Sequence, residues 1–284
     1  MLHWKTVIGR RSGPSIRWAA AAVALTGALL AAATSAPAAD RGADGQFEKR
    51  TSSHFVLYQD VDIDEAGGLR GSRHFEQQVL DELERAYDRL EDFLALRPPR
   101  RIEVVVYDPA IFDANFGGRF RFPAAGFYQG VIRIRGSAQL SVQLGRVLHH
   151  ELVHAAFDAA APSFVLPAWF NEGIAEWFEA RTIGKRRLSR GELAYLIQAR
   201  QNGALLPLAT LSAPNFARLG PKAATLAYLQ SYGIIEYLAR RHGDRALREF
   251  CEGVMRSRDI ERSLRRTHRM GVRELEASFI ADLG

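Results

Sequence analysis

Residues 147–157 read V-L-H-H-E-L-V-H-A-A-F. The stretch is apolar, yet it holds three histidines and a glutamate. His150-Glu151-Leu152-Val153-His154 is the pattern HExxH. On an α-helix, side chains four apart project from one face, about 40° from each other given the 3.6-residue period. His150 and His154 can therefore grip one ion, and zinc suits imidazole nitrogen in tetrahedral geometry. Glu151 is displaced around the helix and can reach a water at the ion without ligating the metal. His149 is out of register with this pair, because its partner would fall at Val153. It reads as a packed or hydrogen-bonded neighbour.

The pentapeptide alone also fits an amphipathic helix with a few satisfied polar residues. The segment at 166–179, L-P-A-W-F-N-E-G-I-A-E-W-F-E, shifts the balance. Glu172 and Glu176 fall one helical turn apart among Trp169, Phe170, Ile174, Trp177 and Phe178. Two carboxylates in such surroundings are costly unless a cation meets them. A zinc ion would take Glu172 as its third ligand, and Glu176 could accept the free N–H of a ligating histidine. Gly173 lets this second helix come close. Three protein ligands leave a fourth position open, the catalytic rather than the structural arrangement.

Working outward, residues 53–59 and 101–107 have the β-branched and aromatic content of strands, the second with an unbroken apolar centre. Residues 126–136 read as two short strands, or one bent at Gly130, with Ile132 and Ile134 alternating with Arg133 and Arg135. Residues 74–95 repeat apolar positions every three to four and stop before Pro98-Pro99, as a helix does. From about residue 138 the chain reads as helices. They are broken by loops at 159–166, 182–188 and 202–221, with a capping box at Ser189 and Glu192 and a long helix ending at Gly243. Strands first and helices after argue for α+β: a small mixed N-terminal sheet, the HExxH helix, then a helical half. The expected organisation is a leader over 1–39, a lead-in over 40–48, and one domain over 49–284 that divides near residue 158.

The formal charge of +6 misleads. Residues 1–39 carry four basic residues and no acid, so the remainder has 34 basic and 32 acidic residues. Nucleic-acid binding loses its electrostatic support. The N-terminus has the three parts of a secretory signal: Arg10, Arg11 and Arg17, the apolar run 18–33, and Ala36-Pro37-Ala38 as a cleavage site. An uncleaved anchor is the alternative, although the run is shorter than the roughly 20 residues of a span. Export, to the periplasm or beyond, is the expectation. The single cysteine, Cys251, allows no internal disulfide and reads as a packed core residue. His54, His74, His242 and His268 show no ligand spacing, and Lys185-Arg186-Arg187 reads as a solvated loop.

The segments 149–155, 166–179 and 226–238 (L-A-Y-L-Q-S-Y-G-I-I-E-Y-L) together resemble the gluzincin metallopeptidases, specifically the peptidase MA-like families of bacterial exported proteins. Residues 51–59, 101–107 and 124–130 add weaker likenesses, so the resemblance spans most of 50–280. It implies a zincin-like fold, one Zn²⁺ on His150, His154 and Glu172, Glu151 as general base, and a peptide or protein substrate. It also implies a tyrosine that donates to the oxyanion, Tyr228, with Tyr232 one turn away able to substitute. The stretch by which gluzincin aminopeptidases bind a free amine has no counterpart, so endo- and exopeptidase action both stay open. The competing expectation is a zincin-fold binding or assembly protein of the envelope that has lost catalysis.

Overall fold

The computed structural model describes residues 47–60, 71–117 and 125–284. The leader expected over 1–39 lies outside them. The elements in chain order are β1 (Phe47–Thr51), β2 (Phe55–Asp60), α1 (Gly71–Leu94), β3 (Ile102–Tyr107), α2 (Pro109–Phe116), β4 (Gly126–Tyr128) and β5 (Ile132–Arg135). The helices α3 (Val142–Ala160), α4 (Ala168–Thr182), α5 (Arg190–Gln201), α6 (Leu208–Leu211), α7 (Pro221–His242), α8 (Asp244–Ser257), α9 (Ile260–His268) and α10 (Val272–Asp282) follow. This is α+β, as the order of strands and helices predicts.

The described strands form one mixed sheet in the order β1-β2-β3-β5-β4. β2, β3 and β5 run parallel, while β1 and β4 are antiparallel edges. The run 126–136 resolves into two strands joined through Gly130, whose φ of +72° suits a residue without Cβ. Ile132 and Ile134 are buried and Arg133 and Arg135 partly exposed, so the alternation predicted for this strand holds. On one face Leu57, Val104, Val106, Ile132 and Ile134 join the main core with Phe75, Val79, Leu83 and Leu90 of α1. On the other, α2 closes a small aromatic cluster of Tyr107, Phe112, Phe116 and Phe127. α2 and β1 are elements the sequence pattern does not announce.

α3 starts at Ser141, whose hydroxyl accepts from Leu144 N at 3.0 Å. Residues 147–157 are then buried without a break. A helix apolar on every side must be enclosed, and α1, β4 and α4 all pack on it. α4 in turn packs on α7. Gly173 makes that second contact possible: a Cβ there would lie 2.7 Å from Ser231 O and 2.8 Å from Ile235 Cγ1. The close approach that Gly173 permits is thus to α7, not to the HExxH helix. α7 ends at Gly243, with φ of +87°, and the Ser189–Glu192 capping box has both its hydrogen bonds. Cys251 is fully buried, as expected of a packed residue, and burial pushes its thiol pKa up.

Candidate metal centre

α3 and α4 bring His150, His154 and Glu172 together, with one donor atom of each within 4.8 Å of the others. His150 Nε2 lies 3.3 Å and His154 Nε2 3.6 Å from the same oxygen, Glu172 Oε2. Two ligand atoms at 2.0–2.1 Å from a zinc ion, separated by a tetrahedral angle, stand about 3.3–3.4 Å apart. The 3.3 Å spacing falls within both a long hydrogen bond and such an edge, while the 3.6 Å spacing is longer than either. His154 Nε2 is buried and has no hydrogen-bond partner. All three side chains are essentially sealed from solvent. The donor set could hold a single metal ion.

The other ring nitrogens are held from behind. His154 Nδ1 sits 3.0 Å from Asn171 Oδ1, an oxygen that can accept its N–H, the tautomer that leaves Nε2 with the lone pair. His150 Nδ1 faces Glu179 Oε2 at 3.6 Å, just beyond hydrogen-bond length. Glu179 is fixed by Arg146 of α3, whose Nε donates to Oε1 at 2.5 Å. The sequence reading gives this supporting role to Glu176. The structure sets Glu179 against the imidazole and places Glu176 beside it, with His150, Glu176 and Glu179 forming a second group within 4.8 Å. Glu172, Glu176 and Glu179 stand at i, i+4 and i+7, one helix face. That spacing is the signal which could have disclosed Glu179, while Asn171 has none beyond adjacency to Glu172.

Glu151 points at the same region from β4's side. Its Oε2 accepts the Tyr128 backbone N–H at 2.8 Å, while Oε1 is buried without a hydrogen-bond partner. One oxygen is anchored and the other is free to work. Burial raises the Glu151 pKa to about 7, against the opposing pull of His150 and His154. Burial also acts on Glu172, yet His154 and His150 more than offset it and hold that carboxyl at about 2. Two carboxyls on neighbouring helices thus diverge, one suited to proton transfer and one to ligation.

Tyr228 of α7 is buried, and burial raises its pKa well above the usual value, aided by the charges of Glu172, Glu176 and Glu151. Its ring meets Phe216 edge to face at 5.1 Å. Burial raises the Tyr232 pKa too, aided by Glu192, Glu236 and Glu176, and Lys185 Nζ sits 4.8 Å over its ring. The two tyrosines are not equivalent. His149 is directed away: Nδ1 contacts Thr182 Oγ1 at 2.6 Å and Nε2 lies 2.6 Å from Glu82 Oε1. It ties α3 to α1 and α4.

Other histidines lie apart. His54 stacks on Tyr87 with ring centroids 3.7 Å apart and contacts Glu84 at 2.6 Å. His242 and His268 meet edge to face at 4.9 Å. Compared with known proteins, the chain matches no family model and no curated protein.

Proposed function

We propose that this chain is a zinc-dependent peptidase of zincin-like, gluzincin type, exported from the cytoplasm, that hydrolyses peptide bonds in envelope or extracellular proteins or peptides. The observation that carries this reading is the convergence of two imidazole nitrogens on one buried carboxylate oxygen at 3.3 and 3.6 Å, with Glu151 of the same helix anchored to β4. His150, His154 and Glu172 would hold the ion. When bound, zinc supplies Lewis acidity toward a carbonyl and lowers the pKa of water. Glu151 Oε1 takes the proton of the attacking water and delivers it to the leaving nitrogen. The Tyr228 hydroxyl donates to the oxyanion. β4 is an edge of the described sheet, and its Gly126 and Tyr128 backbone groups turn away from β5, since Phe127 faces Arg133 across the antiparallel pair; of these, the Tyr128 N–H is already donated to Glu151 Oε2. An extended substrate can align along that edge.

The presence of a general base favours catalysis over a purely structural metal. The test is metal analysis of wild type and Glu151→Ala, with hydrolysis of a mixed peptide library in the presence and absence of chelator. The expected result is one zinc per chain in both proteins and hydrolysis in wild type alone. A wild type without metal, or a variant as active as wild type, refutes the reading. Export is checked by the mature N-terminus: cleavage near Ala38 supports it, and an intact leader on exported protein indicates an anchor. No helix of the described residues is long and apolar enough to cross a membrane.

A further inference from the structure

The body of the chain is nearly neutral, yet its arginines are not evenly spread. Nine of them fall between residues 244 and 273, against five acids. Several pair locally: Arg245 with Glu249, Arg265 with Glu261, Arg256 with Glu252 at 3.3 Å. Asp259 uses its carboxylate to cap α9, accepting from Arg262 N at 2.9 Å. Arg262 and Arg266 make no ion pair among the described residues. They stand one turn apart on α9, where like charges repel.

These residues line a cavity of about 300 Å³ where α8 turns into α9, formed by Gly253, Arg256, Ser257, Arg262, Ser263 and Arg266. Its volume lies at the lower end of the range for small-ligand sites, roughly 300–1,000 Å³. The floor is fixed. Ser257 Oγ and Ser263 Oγ are 3.0 Å apart, and the Ser257 hydroxyl reaches Gly253 O at 2.7 Å. Gly253 makes room for the Arg266 guanidinium: a Cβ there would come within 2.5 Å of Arg266 Nη2. The guanidinium thus lies across the glycine at the edge of the cavity. Three arginines and two serines line it beside Gly253, and no carboxylate does.

We propose that this turn is a binding site for a phosphate-type anion, separate from the metal cluster, with Arg262 and Arg266 as its principal contacts and Arg256 as a third. Arginine presents a planar fork of donors that matches phosphate oxygens in pairs, and an anion would remove the repulsion between the two unpaired guanidiniums. A phosphate ester in solution and the phosphodiester of a lipid headgroup share this chemistry.

The test uses the full mature protein at constant ionic strength. Inorganic phosphate is titrated calorimetrically into wild type, the double variant Arg262→Gln/Arg266→Gln, and a control, Arg186→Gln/Arg187→Gln, altered in the other basic run. All four side chains are exposed or partly so, and removing them leaves the core intact. Saturable binding to wild type, at least tenfold weaker in the first variant and unchanged in the control, supports the site. Sedimentation with phosphatidylglycerol vesicles, but not phosphatidylcholine vesicles, and only with Arg262 and Arg266 present, assigns the anion to a lipid headgroup. Phosphate binding without sedimentation assigns it to a soluble ester. The proposal is overturned by absence of saturable phosphate binding, by equal affinity in the double variant, which would place the anion elsewhere, or by an equal loss in the control, which would make the effect one of net charge.

Discussion

Gly173→Ala adds one methyl group at the tightest helix contact next to the metal cluster. Its Cβ would stand 2.7 Å from Ser231 O on α7, whereas ordinary contact begins near 3.4 Å. The obstruction is backbone, which cannot swing aside, so α4 and α7 must part by roughly 0.7 Å in a core packed to crystal density. Overpacking of this kind costs about 1–3 kcal/mol. At about 2 kcal/mol, a domain of this size should melt roughly 4–8 °C lower. Glu172 precedes Gly173, so part of the displacement reaches the ligand oxygen, and such sites tolerate about 0.5 Å. Zinc affinity should fall at least about tenfold. Thermal unfolding of metal-free protein reads the packing, and competition with a chromophoric chelator reads the site. Gly191→Ala is the matched control, since nothing lies within 4 Å of its added Cβ. It should be neutral or gain about 0.5 kcal/mol from helix propensity. A Gly173→Ala protein that melts with wild type and binds zinc as tightly would falsify the account of the α4–α7 contact.

Glu179→Gln should retain the fold but weaken zinc binding about 10–100-fold, since it removes the charge behind His150 and leaves Arg146 unmatched. Unchanged zinc competition would show that Glu176 carries that role instead. Tyr228→Phe should lower kcat about 10²–10³-fold with little change in KM, whereas Tyr232→Phe should stay within about threefold; the reverse order on any cleaved peptide would reassign the oxyanion donor. Burial, with His242 adding to it, depresses His268 to about 4. Its proton therefore prefers the unfolded chain, so this contribution to stability is whole above about pH 6.5 and is lost as pH falls toward 4. After allowance for solvent screening it is about 1–2 kcal/mol. Urea unfolding at pH 7.5 and pH 4.5 should show this loss in wild type and not in His268→Gln; parallel losses would exclude His268 as the source.

What the sequence could and could not disclose follows from the range of the interactions involved. HExxH fixes its own geometry through the helix period, so His150 and His154 are legible without knowledge of the fold. Glu172 is legible because a carboxylate in so apolar a helix demands a cation. The capping box at Ser189 and the stop before Pro98-Pro99 are local chemistry and form as read. The partners behind the imidazoles are another matter. The i, i+4, i+7 spacing puts Glu176 and Glu179 on one face of α4, but which of them meets His150 depends on how α3 crosses α4, and that crossing is set by packing with α1 and α7. The Tyr128 N–H is a backbone group, identical in every residue but proline, and no composition marks it. The arginine-lined turn was hidden by averaging, because a nearly neutral total conceals local segregation.

The bond from Tyr128 N–H to Glu151 gives that side chain two attachments: its own helix and the rim of the sheet. Its side chain is one rung of a ladder that the next strand would otherwise complete. Whatever occupies that rim competes with, or leans on, the same rung. A shift of β4 is carried to the carboxylate directly through that bond. Alignment of a chain on the sheet and the basicity of Glu151 are thereby mechanically linked, and an occupant that fails to seat along β4 leaves the base aimed as it is at rest.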